Sequence, residues 1–149
     1  MTTVIPMEMK EELLAAVEYM KILINRFNRL DPVKVWTFGE KLIEILAHKY
    51  TGHWYPEKPI RGQAYRCIRV NRQYQDDGIL DACSFSGLIY SELSLPKEMT
   101  LWIDPYEVSC RLGDDGYAYT VASFHPSITR PSTESLESLE EVSFSSSNC

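Results

Sequence analysis

The stretch LPKEMTLWIDPYEVSCRLGDDG, residues 95–116, decides the fold class because its apolar residues alternate with polar ones. Leu101 and Ile103 fall on one face of a predicted strand, and Trp102 and Asp104 fall on the other. Alternation of this kind is typical of a strand that buries one face in a core and leaves the other open. The pattern therefore places a tryptophan on the polar face, where a small protein gains nothing by exposing it.

Strand-like segments continue on both sides of this stretch. Pro105 ends or bulges the first strand, and GDDG at 113–116 suits a hairpin turn. The other predicted strands are QAYRCIRVN at 63–71, YEVSCRL at 106–112 and YAYTVASF at 117–124. Their short spacing predicts a small, mainly antiparallel sheet.

Helical patterns dominate the first third of the chain. Residues 8–28 carry apolar side chains at alternating spacings of three and four, as one face of an amphipathic helix requires. Asp31 and Pro32 suit the cap and first position of a second helix over 33–50, which we expect to form an antiparallel hairpin with the first. A shorter helix is predicted near 79–85. The fold class is α+β, with a helix hairpin and short helices packed on the sheet.

Composition predicts one folded domain over residues 1–126 and a disordered Ser/Glu-rich tail over 127–149. The formal charge of −6 argues against a general phosphate-binding surface. Neither a leader nor a membrane span is expected. The four cysteines show no metal-binding spacing, so we expect a reduced intracellular protein; they are Cys67, Cys83, Cys110 and Cys149.

No residue pattern recommends an active site. The three histidines, His48, His53 and His125, lack the spacing of a metal or catalytic site. The acid pairs at 76–77 and 114–115 fit turn positions, where aspartate is favoured for backbone reasons. We therefore expect no enzyme activity, catalytic residue, cofactor or metal.

Four arginines in one segment leave open the alternative that the chain binds RNA. Their ordinary interpretation is as solvated strand and loop positions, but with Tyr65 as a stacking platform they would suit RNA. Steep salt dependence of RNA affinity would favour that reading. The four are Arg61, Arg66, Arg69 and Arg72.

Aromatic residues that look exposed are the clearest functional signal. Trp102 shares a strand face with Asp104, and Tyr65 alternates with its neighbours in the preceding strand. His53 and Trp54 lie in a proline-bounded loop. Large amphipathic side chains on rigid strands are typical of protein–protein hot spots, so we predict a binding surface.

These aromatic segments resemble the box A and box B signatures of the BTG/Tob antiproliferative proteins. The similarity rests on HWYPEKP at 53–59, GQAYRCIR at 62–69 and LWIDPYEVS at 101–109, which occur in order with the expected separation. It extends from the first helix to about Phe124. Neither the motifs that recruit poly(A)-binding protein nor a third box follows in this chain.

The resemblance implies an adaptor that binds the DEDD-type exonuclease subunit of the CCR-NOT deadenylase, promotes poly(A) shortening and restrains the cell cycle. It implies that Tyr65, Trp102 and Asp104 contact that partner, and we add His53, Trp54 and Glu98 to the predicted surface. The alternative is a nuclear coregulator that binds transcription factors or a methyltransferase. We expect a monomer in cytoplasm and nucleus that binds neither nucleic acid directly nor membrane.

Overall fold

A computed structural model describes residues 5–113 and 116–125 of the chain. It contains three helices, namely α1 (Lys10–Ile24), α2 (Pro32–Tyr50) and α3 (Asp77–Ser86). The cap predicted for the second helix is confirmed, because the Asp31 carboxylate accepts the Val33 N–H at 3.0 Å and Pro32 opens the helix. Asp76 caps α3 in the same way, accepting the Ile79 N–H at 3.1 Å.

Four antiparallel strands form one sheet in chain order, which confirms the predicted α+β architecture. They are β1 (Cys67–Val70), β2 (Met99–Asp104), β3 (Glu107–Leu112) and β4 (Tyr119–Ser123). In this register, Trp102 lies between Cys67 of β1 and Ser109 of β3. β2, whose alternation the sequence displays, is therefore an inner strand of the sheet.

The core lies between the sheet and the helices. Leu101 and Ile103 are fully buried, and α1 packs on β2, β3 and β4. The link over residues 25–31 brings α2 back against α1, and α3 packs on α2. The face of the sheet that carries Trp102, called the outer face below, is directed away from this apolar core.

The turn between β2 and β3 is tight and is held by α1. Pro105 and Tyr106 form it, and Tyr106 has a left-handed backbone with φ of 71°. A proline followed by a residue of positive φ is the pattern of a type II turn. The buried carboxylate of Glu12 accepts the Tyr106 N–H at 2.8 Å, so the hairpin that carries Trp102 is fastened to α1.

Three details differ from the sequence predictions. The segment 63–71 forms a strand only from Cys67, because Gln63–Tyr65 make a 3₁₀ turn in which the Tyr65 N–H bonds the Gly62 carbonyl at 2.9 Å. The first helix, predicted over 8–28, ends at Ile24, so Phe27 lies beyond it and is exposed. Trp36 lies within α2 but on its exposed side, because this turn of the helix buries Val35 and Phe38 instead.

Two predictions concern residues outside the described part of the chain. The hairpin turn at 113–116 includes Asp114 and Asp115, and only the two glycines that bracket them are described. The Ser/Glu-rich tail over 127–149 also lies outside the described residues, so the domain boundary stays a prediction.

Candidate protein-binding surface

Trp102 sits on the outer face of the sheet, as its alternation with Leu101 and Ile103 predicts. Its side chain is half-buried, although both of those neighbours are fully buried. The guanidinium of Arg111 on β3 lies 5.5 Å from the centre of its ring, a cation–π distance. The ring is thus oriented by its strand and by an arginine, which leaves part of its surface available to a partner.

Tyr65 and His53 form a second aromatic feature. Their rings stack with centroids 4.3 Å apart and planes 18° apart, and Tyr65 is 58% exposed. Tyr65 immediately precedes Arg66, whose carbonyl accepts the Ile103 N–H at 2.9 Å. The stack of Tyr65 on His53 therefore lies near Ile103, the β2 residue that follows Trp102. The two aromatic segments predicted from the sequence are thus neighbours in the structure.

Arg66 holds the loop that carries this stack. Its side chain is fully buried, and each of its five N–H groups has an acceptor. The acceptors lie 2.6 to 3.0 Å away and are the carbonyls of Ile103, His53, Arg61 and Pro59 and the carboxylate of Asp104. Such a side chain fixes the path of the loop with respect to β2.

Gly62 is needed for this arrangement. It has φ of 76°, which a glycine adopts without steric cost. A β-carbon there would come within 2.9 Å of an Arg66 guanidinium nitrogen. The glycine therefore lets the loop close around the arginine.

The interpretation of Arg66 as a solvated residue is wrong, because its guanidinium is enclosed by the loop. For the same reason, Arg66 is not available to contact RNA, which leaves three of the four arginines for that alternative. No local signal in the sequence distinguishes Arg66 from Arg69 or Arg72, since its acceptors come from a distant strand and from a loop that folds over it.

Asp104 lies on the expected face but is only 7% exposed. Its carboxylate pairs with Arg66 at 3.0 Å and accepts the side-chain N–H of Gln63 at 2.6 Å. Burial raises the pKa of Asp104, and the bonds from Gln63 and Arg66 oppose that rise. Its polar capacity is thus largely used within the domain, and its contact with a partner stays a prediction.

Trp54 is also placed differently from the prediction. It is 7% exposed and belongs to the core cluster, and its indole N–H donates to the Glu8 carbonyl at 3.1 Å. One side of the ring faces Arg66, with 5.6 Å between the guanidinium and the ring centre. Trp54 therefore joins the loop to the N-terminal segment rather than presenting a ring to solvent.

Glu98 lies apart from these aromatic residues. It precedes β2, and its backbone carbonyl accepts the Gly113 N–H at 2.8 Å. With Arg72, Lys97 and Gly113 it lines an open cleft of about 420 Å³ at the opposite end of the strands from the β2–β3 turn. The structure thus brings Tyr65 and His53 together near Trp102 but leaves Glu98 at a separate, more basic place.

Across residues 5–113 and 116–125, no three His, Cys, Asp or Glu side chains are placed to hold a metal ion. Burial raises the pKa of the Cys83 thiol to about 11 and also raises the pKa of Cys67, which disfavours their nucleophilic thiolates. None of the described helices is both long and apolar enough to cross a membrane.

Comparison with known proteins decides the family. The model of the BTG family matches residues 9–122, which include both aromatic segments and every helix and strand named above except the last residue of β4. The chain belongs to the BTG family. The predicted resemblance to the BTG/Tob antiproliferative proteins is therefore confirmed.

Individual BTG relatives agree with this assignment. Protein BTG3 from mouse and protein BTG3 from human are each 52% identical to this chain over 117 residues. Each match covers 78% of this chain and 46% of the relative. Human protein BTG4 is 43% identical over the same length. The chain thus spans about half of the curated BTG relatives it matches.

A solved BTG structure supports the fold alone. The BTG/Tob domain of C. elegans FOG-3 superposes with a TM-score of 0.65 at 22% sequence identity. The match covers 75% of this chain and 88% of the FOG-3 chain. The layered arrangement described here is therefore that of a BTG/Tob domain.

Proposed function

We propose that this chain is a non-enzymatic antiproliferative adaptor that binds the DEDD-type catalytic subunit of the CCR-NOT deadenylase. In that role it promotes poly(A) shortening and restrains cell-cycle progression, acting in cytoplasm and nucleus. The observation that carries the proposal is the outward position of Trp102 on an inner strand of the sheet of a BTG domain. A rigid strand that keeps a large aromatic side chain out of an otherwise closed core suits an interface anchor.

The second aromatic segment supports the same surface. Tyr65 is more than half exposed, and its ring is held in place by stacking on His53. A pre-oriented ring loses little conformational entropy when a partner covers it, so it contributes more of its contact energy to binding. Arg66 joins the backbone of this segment to Ile103, next to Trp102, so both anchors are positioned before binding.

A tethering experiment tests the proposal in cells. The chain, fused to an RNA-binding peptide, is placed on a reporter message, and poly(A) length is followed after transcription is stopped. We expect faster shortening with the wild-type chain and a loss of that effect with Trp102→Ala. Trp36→Ala removes an equally large, exposed ring from α2 and should leave shortening unchanged.

Two results would contradict the proposal. One is an unchanged poly(A) length with an expressed, folded wild-type chain. The other is a change in reporter transcription without any change in message decay, which would favour the nuclear coregulator alternative.

A further inference from the structure

The charges on the outer face are separated along the strands. Arg69 of β1 and Arg111 of β3 flank Thr100 at one end. Asp104 and Glu107 pair across β2 and β3 at the other end, beside the turn. Trp102 lies between these two ends. Because Asp104 is paired with the buried Arg66, Glu107 is the exposed negative charge that a partner meets beside the turn, at the end opposite the two arginines.

Arg111 has unused hydrogen-bonding capacity. Its guanidinium rests over the Trp102 ring, and its Nε is buried without a hydrogen-bond partner among the described residues. A buried N–H that lacks an acceptor costs free energy. Arg111 as a whole is partly exposed, so a partner can pair with its guanidinium, and a carboxylate is the acceptor that matches an arginine best.

The basic end is reinforced by its surroundings. Arg69 donates to the Thr100 hydroxyl at 2.9 Å, which holds a second guanidinium on the same face. Arg72 and Lys97 line the cleft at this end of the sheet, with Glu98 as the opposing charge. The chain as a whole is acidic, with a formal charge of −6, so this positive region is local.

We propose that the outer face binds an acidic segment of a partner protein, with an aspartate or glutamate carboxylate on Arg111 while an apolar side chain covers Trp102. The inference rests on the proposed function and adds the chemistry that the deadenylase subunit presents. A protein carboxylate rather than nucleic acid is the expected ligand, because the exposed Glu107 on the same face would repel a continuous run of phosphates along the strands. The local charge separation then fixes the orientation of the partner.

Calorimetry with the purified full chain and the purified deadenylase catalytic subunit tests the inference. Arg111→Gln should weaken binding about tenfold or more, because it removes one member of a desolvated charge pair. Arg111→Lys should recover part of the affinity by keeping the charge. Arg26→Gln makes the same charge change at an exposed position after α1 and should bind like the wild type.

Salt dependence provides a second measurement. Raising the salt concentration should weaken wild-type binding more steeply than binding of Arg111→Gln, since the variant has lost the charge contact. Thermal melting of each variant should stay close to that of the wild type, which separates an effect on binding from an effect on folding.

The possible outcomes distinguish the two proposals. If Trp102→Ala loses affinity while Arg111→Gln and the wild type bind equally, the carboxylate inference is wrong and the adaptor proposal stands. If the wild-type chain does not bind, both fail together. Tight, salt-sensitive binding of poly(A) RNA that depends on Arg111 would also overturn the inference, because the face would then bind phosphates.

Discussion

Arg66 shows how one side chain can organise a binding surface from beneath it. The guanidinium donates to four backbone carbonyls and to the Asp104 carboxylate, and none of it is exposed. A buried charge is tolerated only when it is paired and fully hydrogen-bonded, which this geometry provides. The loop with His53 and Tyr65 therefore has a defined position on β2 in the absence of any partner.

Substitution of Arg66 by lysine should destabilise the domain. Lysine keeps the charge but offers three donors to five acceptors, so at least two acceptors lose their bonds. We expect the free energy of unfolding to fall by about 3 kcal/mol in urea denaturation. Arg72→Lys, at an exposed position, is the control. Equal stability of the two variants would show that the buried network contributes little.

Asp76 allows a prediction about pH. Burial raises its pKa above the ordinary 3.8, although its bonds to the backbone of Ile79 and Arg69 oppose the rise. The folded state thus holds this proton more tightly than the unfolded chain, and the contribution of the group to stability falls as pH rises through the raised pKa. Asparagine keeps the helix cap through its single acceptor oxygen, gives up the longer 3.4 Å bond from the Arg69 N–H, and does not titrate.

Asp76→Asn should therefore gain stability relative to the wild type as pH is raised from about 3.8 towards neutrality. Asp76→Ala lacks the cap and should be about 1 kcal/mol less stable than Asp76→Asn throughout this range. Chemical denaturation at several pH values measures both differences. Parallel stability curves for the wild type and Asp76→Asn would contradict the raised pKa.

At the scale of elements, α1 supports the β2–β3 hairpin through both apolar and polar contacts. Its buried side chains pack on the inner face of the sheet, and Glu12 reaches the turn at Tyr106. The tyrosine has a positive φ, which a residue other than glycine adopts only at some cost. The carboxylate bond helps to offset that cost and so to hold the strand that carries Trp102.

Removal of the Glu12 carboxylate should loosen this hairpin. Glu12→Ala leaves the Tyr106 N–H without this acceptor, and we expect a loss of about 2 kcal/mol in the free energy of unfolding. Glu18→Ala removes an exposed carboxylate from the same helix and should cost well under about 1 kcal/mol. Hydrogen exchange at Tyr106 should rise only in Glu12→Ala. Unchanged exchange there would contradict the anchoring role.

The order of helices and strands could be predicted from the sequence because each element has a local cause. The period-two pattern marked β2, and Asp31 with Pro32 marked the start of α2. The place of Tyr65 could not be predicted in this way, because its turn is held by the Arg66 guanidinium. That group donates to acceptors far apart in the sequence, from His53 to Asp104. Long-range bonds of this kind leave no periodic signal.

The candidate surface was predictable in part for the same reason. Trp102 was identified by alternation within its own strand, and the structure leaves it partly exposed on the expected face. Asp104 was predicted on the surface from the same alternation, and Trp54 from its proline-bounded loop, but tertiary contacts enclose both. Arg111 was not singled out, because its position over Trp102 follows from the β2–β3 register.

At the scale of the molecule, the helical layer closes the core, and the outer face of the sheet carries the proposed binding surface. The core of the described residues is continuous from α1 through the sheet, so the surface does not require a second domain for its support. The curated BTG relatives are about twice as long as this matched region. We therefore expect the binding function proposed here to reside in the domain over residues 5–125.

Removal of residues 127–149 tests this division. The truncated chain should melt within about 2 °C of the full chain, since each helix and strand described above precedes the cut. Its affinity for the deadenylase catalytic subunit should also be unchanged. A clear drop in melting temperature would show that the removed residues contribute to the folded domain, and a loss of affinity alone would give them part of the interface.

The affinity of Trp102→Ala for the purified deadenylase catalytic subunit tests the central claim most directly. Loss of a central aromatic anchor should weaken binding at least about thirty-fold, with melting and circular dichroism close to those of the wild type. Trp36→Ala, which removes a ring that is 59% exposed on α2, should bind normally. If Trp102→Ala binds as tightly as the wild type and Trp36→Ala, the outer face of the sheet is not the site of docking.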